Sequence, residues 1–202
     1  MRKFLTVLLF LSLFISPALA DGDEIIVAGE HYCSYLDDAG NLWVYATAVI
    51  ENWAEVPQSP VHTGFLVLAK DGSVMIETPP TLYPPVIDSM GRAYVASVFC
   101  LDAAQQAQFD CVQLSFFPGS GMAGTSAQYL QADPATGLIK NDTAAAMENV
   151  TVLQIYYDEA GAIVGTQLDT LAIGAEERKT AERTFHFAPY ASVETIAYQT
   201  TP

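Results

Sequence analysis

Positive charge is what this sequence has least of. Its 202 residues hold 8 lysines and arginines against 23 aspartates and glutamates, a formal net charge of −15. Beyond residue 20 the only bases are Lys70, Arg92, Lys140, Arg178, Lys179 and Arg183, and they form no stripe. Such a surface repels phosphate backbones, so no nucleic-acid partner is expected; neutral or cationic partners are favoured. Histidine is also scarce. His31, His62 and His186 are the only three, and the cysteines offer no zinc-ligand spacing with them. Phosphate-cradling glycine loops, Gly-x-Ser-x-Gly, His-Glu-x-x-His and Cys-x-x-Cys are all missing. The expectation is a protein that is not an enzyme, with no catalytic residue, no metal and no cofactor.

Long apolar runs are nearly absent too. The one present, Phe4 to Ser16, follows Arg2 and Lys3 and precedes Ala18-Leu19-Ala20, the pattern of a cleaved secretory signal over residues 1–20. As a helix it spans about 20 Å, short of the roughly 30 Å hydrocarbon core. Asp21 rather than a cysteine follows, so lipid attachment there is not expected. The chain ends at Thr201-Pro202 without an apolar tail, and no membrane span is expected after cleavage. The mature chain keeps six bases and 23 acids, 6 − 23 = −17. Its expected location is the cell envelope or the extracellular space.

Cysteine is limited to Cys33, Cys100 and Cys111. Cys100 ends one apolar run and Cys111 starts the next, with a polar turn between them. In an exported chain that spacing predicts a Cys100–Cys111 disulfide closing a hairpin, worth roughly 2–3 kcal/mol by loop entropy. Cys33 is left as a small buried hydrophobe, or else pairs with another chain or swaps into the Cys100–Cys111 pair.

What the chain does have is a repeat and a strand pattern. Residues 46–82 lie over 135–171 without a gap. Ala46, Thr47, Ile50, Asn52, Val61, Gly72, Thr81 and Leu82 meet Ala135, Thr136, Ile139, Asn141, Val150, Gly161, Thr170 and Leu171. A recurring unit sets the architecture. Apolar β-prone runs flank Asp37 to Asn41, Lys70 to Gly72 and Asp158 to Gly161, each a hairpin turn whose glycine supplies the left-handed conformation. Leu66 and Ile155 are expected on the core side of their strands. Thr78 to Pro85, with four prolines, reads as an extended crossover or a protected edge. Residues 119–126 are rich in glycine and serine and read as a linker. The division is a signal at 1–20, a β-sandwich at 21–118, the linker, and a second β-sandwich at 127–202.

The second unit resembles the FxLYD-type domains, small immunoglobulin-like sandwiches of exported bacterial proteins. The resemblance rests on Gly137 to Asp142, on Val150 to Asp158 and on Gly161 to Thr166. A strand ends in Asn, a second ends Tyr-Asp, and a glycine turn leads to a return strand with Val-Gly-Thr. The naming motif is Gln154-Ile155-Tyr156-Tyr157-Asp158 here, without its Phe; the first unit has Phe65-Leu66-Val67-Leu68-Ala69, with Phe and without Tyr-Asp. The resemblance implies an all-β chain of two tandem immunoglobulin-like sandwiches and implies no catalysis.

The functional expectation is a non-enzymatic binding or structural module whose partner is a protein or polysaccharide of the envelope or extracellular space. Four other readings stand beside it. Aromatic residues Trp43, Tyr45 and Trp53 suggest sugar stacking, with Trp53, in the loop after its strand, the residue expected to be exposed. Adjacent carboxylates (Asp37-Asp38, Asp158-Glu159, Glu176-Glu177) suggest a hydrolase, although turn carboxylates are usually solvated. Calcium at Asp21 to Glu24 or Asp37 to Asn41 lacks the twelve-residue loop pattern. Strand addition at an open sheet edge would need a long unpaired edge free of proline and charge. Asn141-Asp142-Thr143 and Asn149-Val150-Thr151 have the pattern of glycosylation acceptors.

Overall fold

The computed structural model describes residues 24–60, 62–79, 81–118 and 126–201. The expected signal segment and residues 119–125 of the expected linker lie outside them. The described chain is all-β apart from one short helix. In order the elements are β1 (Ile25–Leu36), β2 (Leu42–Asn52), β3 (His62–Ala69), β4 (Val74–Glu77), β5 (Arg92–Leu101), α1 (Ala103–Gln108) and β6 (Phe109–Phe117). There follow β7 (Ser126–Ala132), β8 (Leu138–Lys140), β9 (Met147–Tyr157), β10 (Ile163–Ile173), β11 (Arg178–Thr180) and β12 (Ser192–Thr201). No described helix is long and apolar enough to cross a membrane.

Every ladder is antiparallel. The first half forms two three-stranded sheets, β1-β2-β5 and β4-β3-β6. The second half forms one six-stranded sheet, β10-β9-β12-β7-β8-β11, in which the start of β7 pairs with β12 and its end with β8. Cut at β7, this sheet reads β7-β8-β11 and β10-β9-β12. That is the order of the first half, position for position.

Strand alternation builds one core in each half. Val44, Ala46, Ala48 and Ile50 of β2 meet Phe65 and Val67 of β3, Val95, Phe99 and Leu101 of β5, and Val112 of β6. In the second half Ile139, Val150, Val152, Ile173 and Ala197 do the same. The core side is therefore Phe65/Val67 and Val150/Val152, not the Leu66/Ile155 face. Ile155 is fully buried for another reason: it packs with Leu153, Tyr94 and Ala96 against the first half. A strand covered on both faces reads as a continuous apolar run, and the run does not reveal which face is which.

The turns follow their chemistry. Gly40, Gly72 and Gly161 have φ of 84°, 81° and 80°, as the hairpin reading required. Asp37 and Asp158 each accept two backbone N–H groups across their turns. The stretch between Cys100 and Cys111 is a capped helical turn rather than a plain hairpin loop. Asp102 Oδ1 accepts from the Ala104 and Gln105 N–H groups, and Gln105 reaches back to the Asp102 N–H, a capping box. The helix carries the chain from one sheet to the other.

Two asparagines hold the same post in the two halves. Asn52, at the end of β2, donates from Nδ2 to the carbonyls of Val56, Ile87 and Asp88 and accepts from the Ala54 N–H. Asn141, just past β8, donates to Ala145 and Gly174 and accepts from the Thr143 N–H. The backbone repeats as well: Asn52 N–H binds Gly91 and Asn141 N–H binds Glu177, while Met90 N–H binds Ala54 and Glu176 N–H binds Thr143. Met90 and Glu176 share a left-handed conformation, with φ of 52° and 54°. The Asn52 and Asn141 side chains are buried, so Asn141 is closed to a glycosyl group in the folded chain.

Each amide satisfies loop groups that no strand can reach. Replacing Asn52 or Asn141 by alanine orphans them, and each change is expected to lower stability by about 2–3 kcal/mol. Urea unfolding checks this: the midpoint falls while the slope stays constant.

Candidate functional site

The outer face of sheet β1-β2-β5 is covered by the β10-β9-β12 part of the second half. Tyr45, Tyr156, Phe185 and Val193 form one buried cluster across the junction, flanked by Cys33, Tyr35, Trp43 and Phe187. Phe185 packs edge-on to Tyr45 at 5.3 Å between ring centres and lies 4.9 Å from Tyr156; Phe187 stacks on Tyr35 at 6.0 Å. Gly165 makes the approach possible, because a Cβ there would fall 2.3 Å from the Phe185 ring. Tyr35 donates to the Val164 carbonyl at 2.8 Å, and the Cys33 thiol donates to the same oxygen at 3.0 Å. Burial pushes the Cys33 thiol up from its ordinary range. It is a half-buried junction residue and it is unbridged.

A polar clamp sits at the other side of the junction. Glu194 of β12 accepts from Arg92 at 2.7 Å, from Tyr157 at 2.9 Å and from Tyr94 at 3.0 Å. Tyr94 is almost wholly buried, so its hydroxyl needs this acceptor.

Between these features the two halves leave a cleft of about 490 Å³. Three strands with an outer edge not taken by a neighbouring strand bound it: β4 at Ile76 and Glu77, β5 at Ala96 to Phe99, and β10 at Thr166 and Leu168. The lining is mostly apolar, with Glu77 as its one carboxylate and no histidine or cysteine. The hydroxyls of Thr81 and Thr166, which line it, are buried and have no hydrogen-bond partner. Apolar concavities with a few aimed polar groups, placed where two packed bodies meet, are where ligands bind. Comparison of the chain with family models, with curated proteins and with solved structures finds no match.

The residues singled out from sequence fall elsewhere. Cys100 pairs across the ladder with Trp43 and points out of sheet β1-β2-β5; Cys111 pairs with Leu68 and points out of sheet β4-β3-β6. Both thiols are free. Packed sheets lie about 10 Å apart, and these side chains leave by opposite outer faces. The expected disulfide therefore does not form, because α1 makes the connection a crossover between sheets.

Trp53 is 58% exposed, as expected, and its indole N–H donates to Glu51. It forms no aromatic row with Trp43 and Tyr45, which pack into the junction at the far end of β2, roughly 30 Å along the strand. Asp37 is occupied by the Trp43 indole, the Asn41 side chain and its own turn, which together hold its carboxyl down to about 2. Among the described residues no three histidine, cysteine or acidic side chains gather as metal ligands. Sequence reasoning missed the cleft, because it is made by edges that are far apart in the chain.

The junction tyrosines give it a pH signature. Burial pushes Tyr45, Tyr156 and Tyr157 up to about 12, with Glu194 adding to the effect on Tyr157. Their ordinary value is about 10. A raised acid binds its proton more tightly in the folded state, so the contribution is fully present below pH 10. It is lost as pH rises from about 10 to about 12. Alkaline titration followed by circular dichroism and tyrosinate absorbance should show these tyrosines ionising only as the fold is lost, well above pH 10.

Proposed function

We propose that the protein is an exported, non-enzymatic binding module made of two tandem immunoglobulin-like sandwiches, acting on a protein or polysaccharide of the cell envelope or extracellular space. The tandem reading is supported by the matching strand orders and by the shared posts of Asn52 and Asn141. The FxLYD-type resemblance fits the same architecture, with β8, β9 and β10 at the resembling residues. Export is supported by the charged start, apolar run and small-residue site of the first twenty residues.

One observation carries the binding role: the junction cleft, which is apolar, lies between two packed bodies and has hydroxyls without internal partners. A lone carboxylate among apolar side chains suits recognition better than acid–base chemistry, which needs a second group within reach. Sugar stacking is left with Trp53 alone of its three proposed rings.

Affinity capture tests the role. Residues 21–202, crosslinked to intact envelope material and read by mass spectrometry and glycan analysis, should enrich one protein or polysaccharide reproducibly. Turnover in a broad hydrolase screen, without such enrichment, would overturn the reading.

A further inference from the structure

From Ala96 to Cys100 the outer edge of β5 is a row of backbone groups without partners among the described residues. Tyr94 exchanges both of its hydrogen bonds with Tyr83 of the crossover, N–H to carbonyl at 2.9 Å and carbonyl to N–H at 2.7 Å. Its backbone groups therefore point away from β2. β5 pairs with β2 without a register shift, so the two-residue period brings the groups of Ala96, Val98 and Cys100 to the same side. The crossover does not follow them. Two residues back from Tyr83 it has peeled away: Thr81 N–H binds the Thr63 carbonyl in the opposite sheet, and Thr63 Oγ1 binds the Thr81 carbonyl. Three donors and three acceptors are left along Ala96 to Cys100 with no bond among the described residues.

Natural sheet edges are blunted by charge, proline or a cover. The stretch Ala96-Ser97-Val98-Phe99-Cys100 has neither proline nor charge. It opens into the cleft, where Ile76, Leu153 and Leu168 wait on either side and Val98 and Leu168 are 43% and 45% exposed. Thr166 is 97% buried by its 3% exposure, yet its hydroxyl is unpartnered.

We propose that this edge receives an extended segment of a partner protein as a fourth strand of sheet β1-β2-β5. The strand runs antiparallel to β5 and continues the line that Tyr83 begins. Alternate side chains of such a strand face Ile76 on one side and Leu153 and Leu168 on the other, so they are apolar. With Glu77 in the cleft wall and a chain charge of −15, the segment carries no acidic residues. The inference rests on the binding role proposed above and names its partner as an unfolded or extended polypeptide rather than a sugar.

The test uses isotope-labelled protein and one probe: an end-blocked peptide of alternating valine and threonine with a lysine at each end. Amide exchange at Ala96 and Val98 should slow by roughly tenfold or more when it binds. The same peptide methylated on alternate nitrogens should give no protection. Val98→Pro removes only an edge-facing N–H, which edge strands tolerate; it should keep the melting transition and lose the protection at Ala96. Leu168→Lys leaves β5 untouched and should weaken binding by placing a cation across the cleft from a cationic peptide, so the test stands even if Val98→Pro misfolds. Unchanged exchange at millimolar peptide, or wild-type binding by either folded variant, overturns the proposal. So does a dimer that Val98→Pro dissolves, since the edge then belongs to a second copy. Capture of an envelope component equally well by Val98→Pro would remove this site and leave the binding role standing.

Discussion

The fold depends on burying both faces of two sheet layers at once. β2 and β5 send one set of side chains into the core of their own half and the other set against β9, β10 and β12. β9 does the same in reverse. Each half encloses a thin core, and units of this size are marginal when alone. Stacking them buries a second layer of aromatic rings, whose edge-on and offset contacts add to the area they remove from water. The polar ends of these rings then need acceptors, and the chain supplies them: Val164 for Tyr35, Glu194 for Tyr94 and Tyr157, and Gln167 for Tyr156.

The cleft is a consequence of that stacking. Because the halves meet face to face over only part of β5, the rest of β5 projects beyond the contact with its edge uncovered. β4 and β10 come close from either side without pairing to it. The crossover, with prolines at 79, 80, 84 and 85 in its sequence, covers the beginning of the edge and cannot follow further as a ladder strand. What remains is an apolar slot with backbone groups on its floor.

Local chemistry was readable from the sequence, and long-range placement was not. The left-handed glycines of the three hairpins, the proline-rich crossover and the exposure of Trp53 each follow from a few neighbouring residues. Asn52 and Asn141 stood out as identities in the repeat, although their role as loop plugs needed the carbonyls of Ile87 and Gly174, more than thirty residues on. Ile155 lies on the face opposite the core of its own half, and its sequence does not show this because a doubly covered strand has no polar side to orient it. Cys100 and Cys111 misled for a related reason. Ten residues fit a hairpin loop in length, but the Asp102–Gln105 capping box turns them into a helix that changes sheets. The cleft had no local signal, since β4, β5 and β10 share no sequence neighbourhood.

The two halves form one body through the aromatic junction. Calorimetric unfolding of residues 21–202 at neutral pH tests it most directly. A junction that holds both cores together predicts one transition whose calorimetric and van't Hoff enthalpies agree. Two separate transitions, each with the enthalpy of one half, would contradict it.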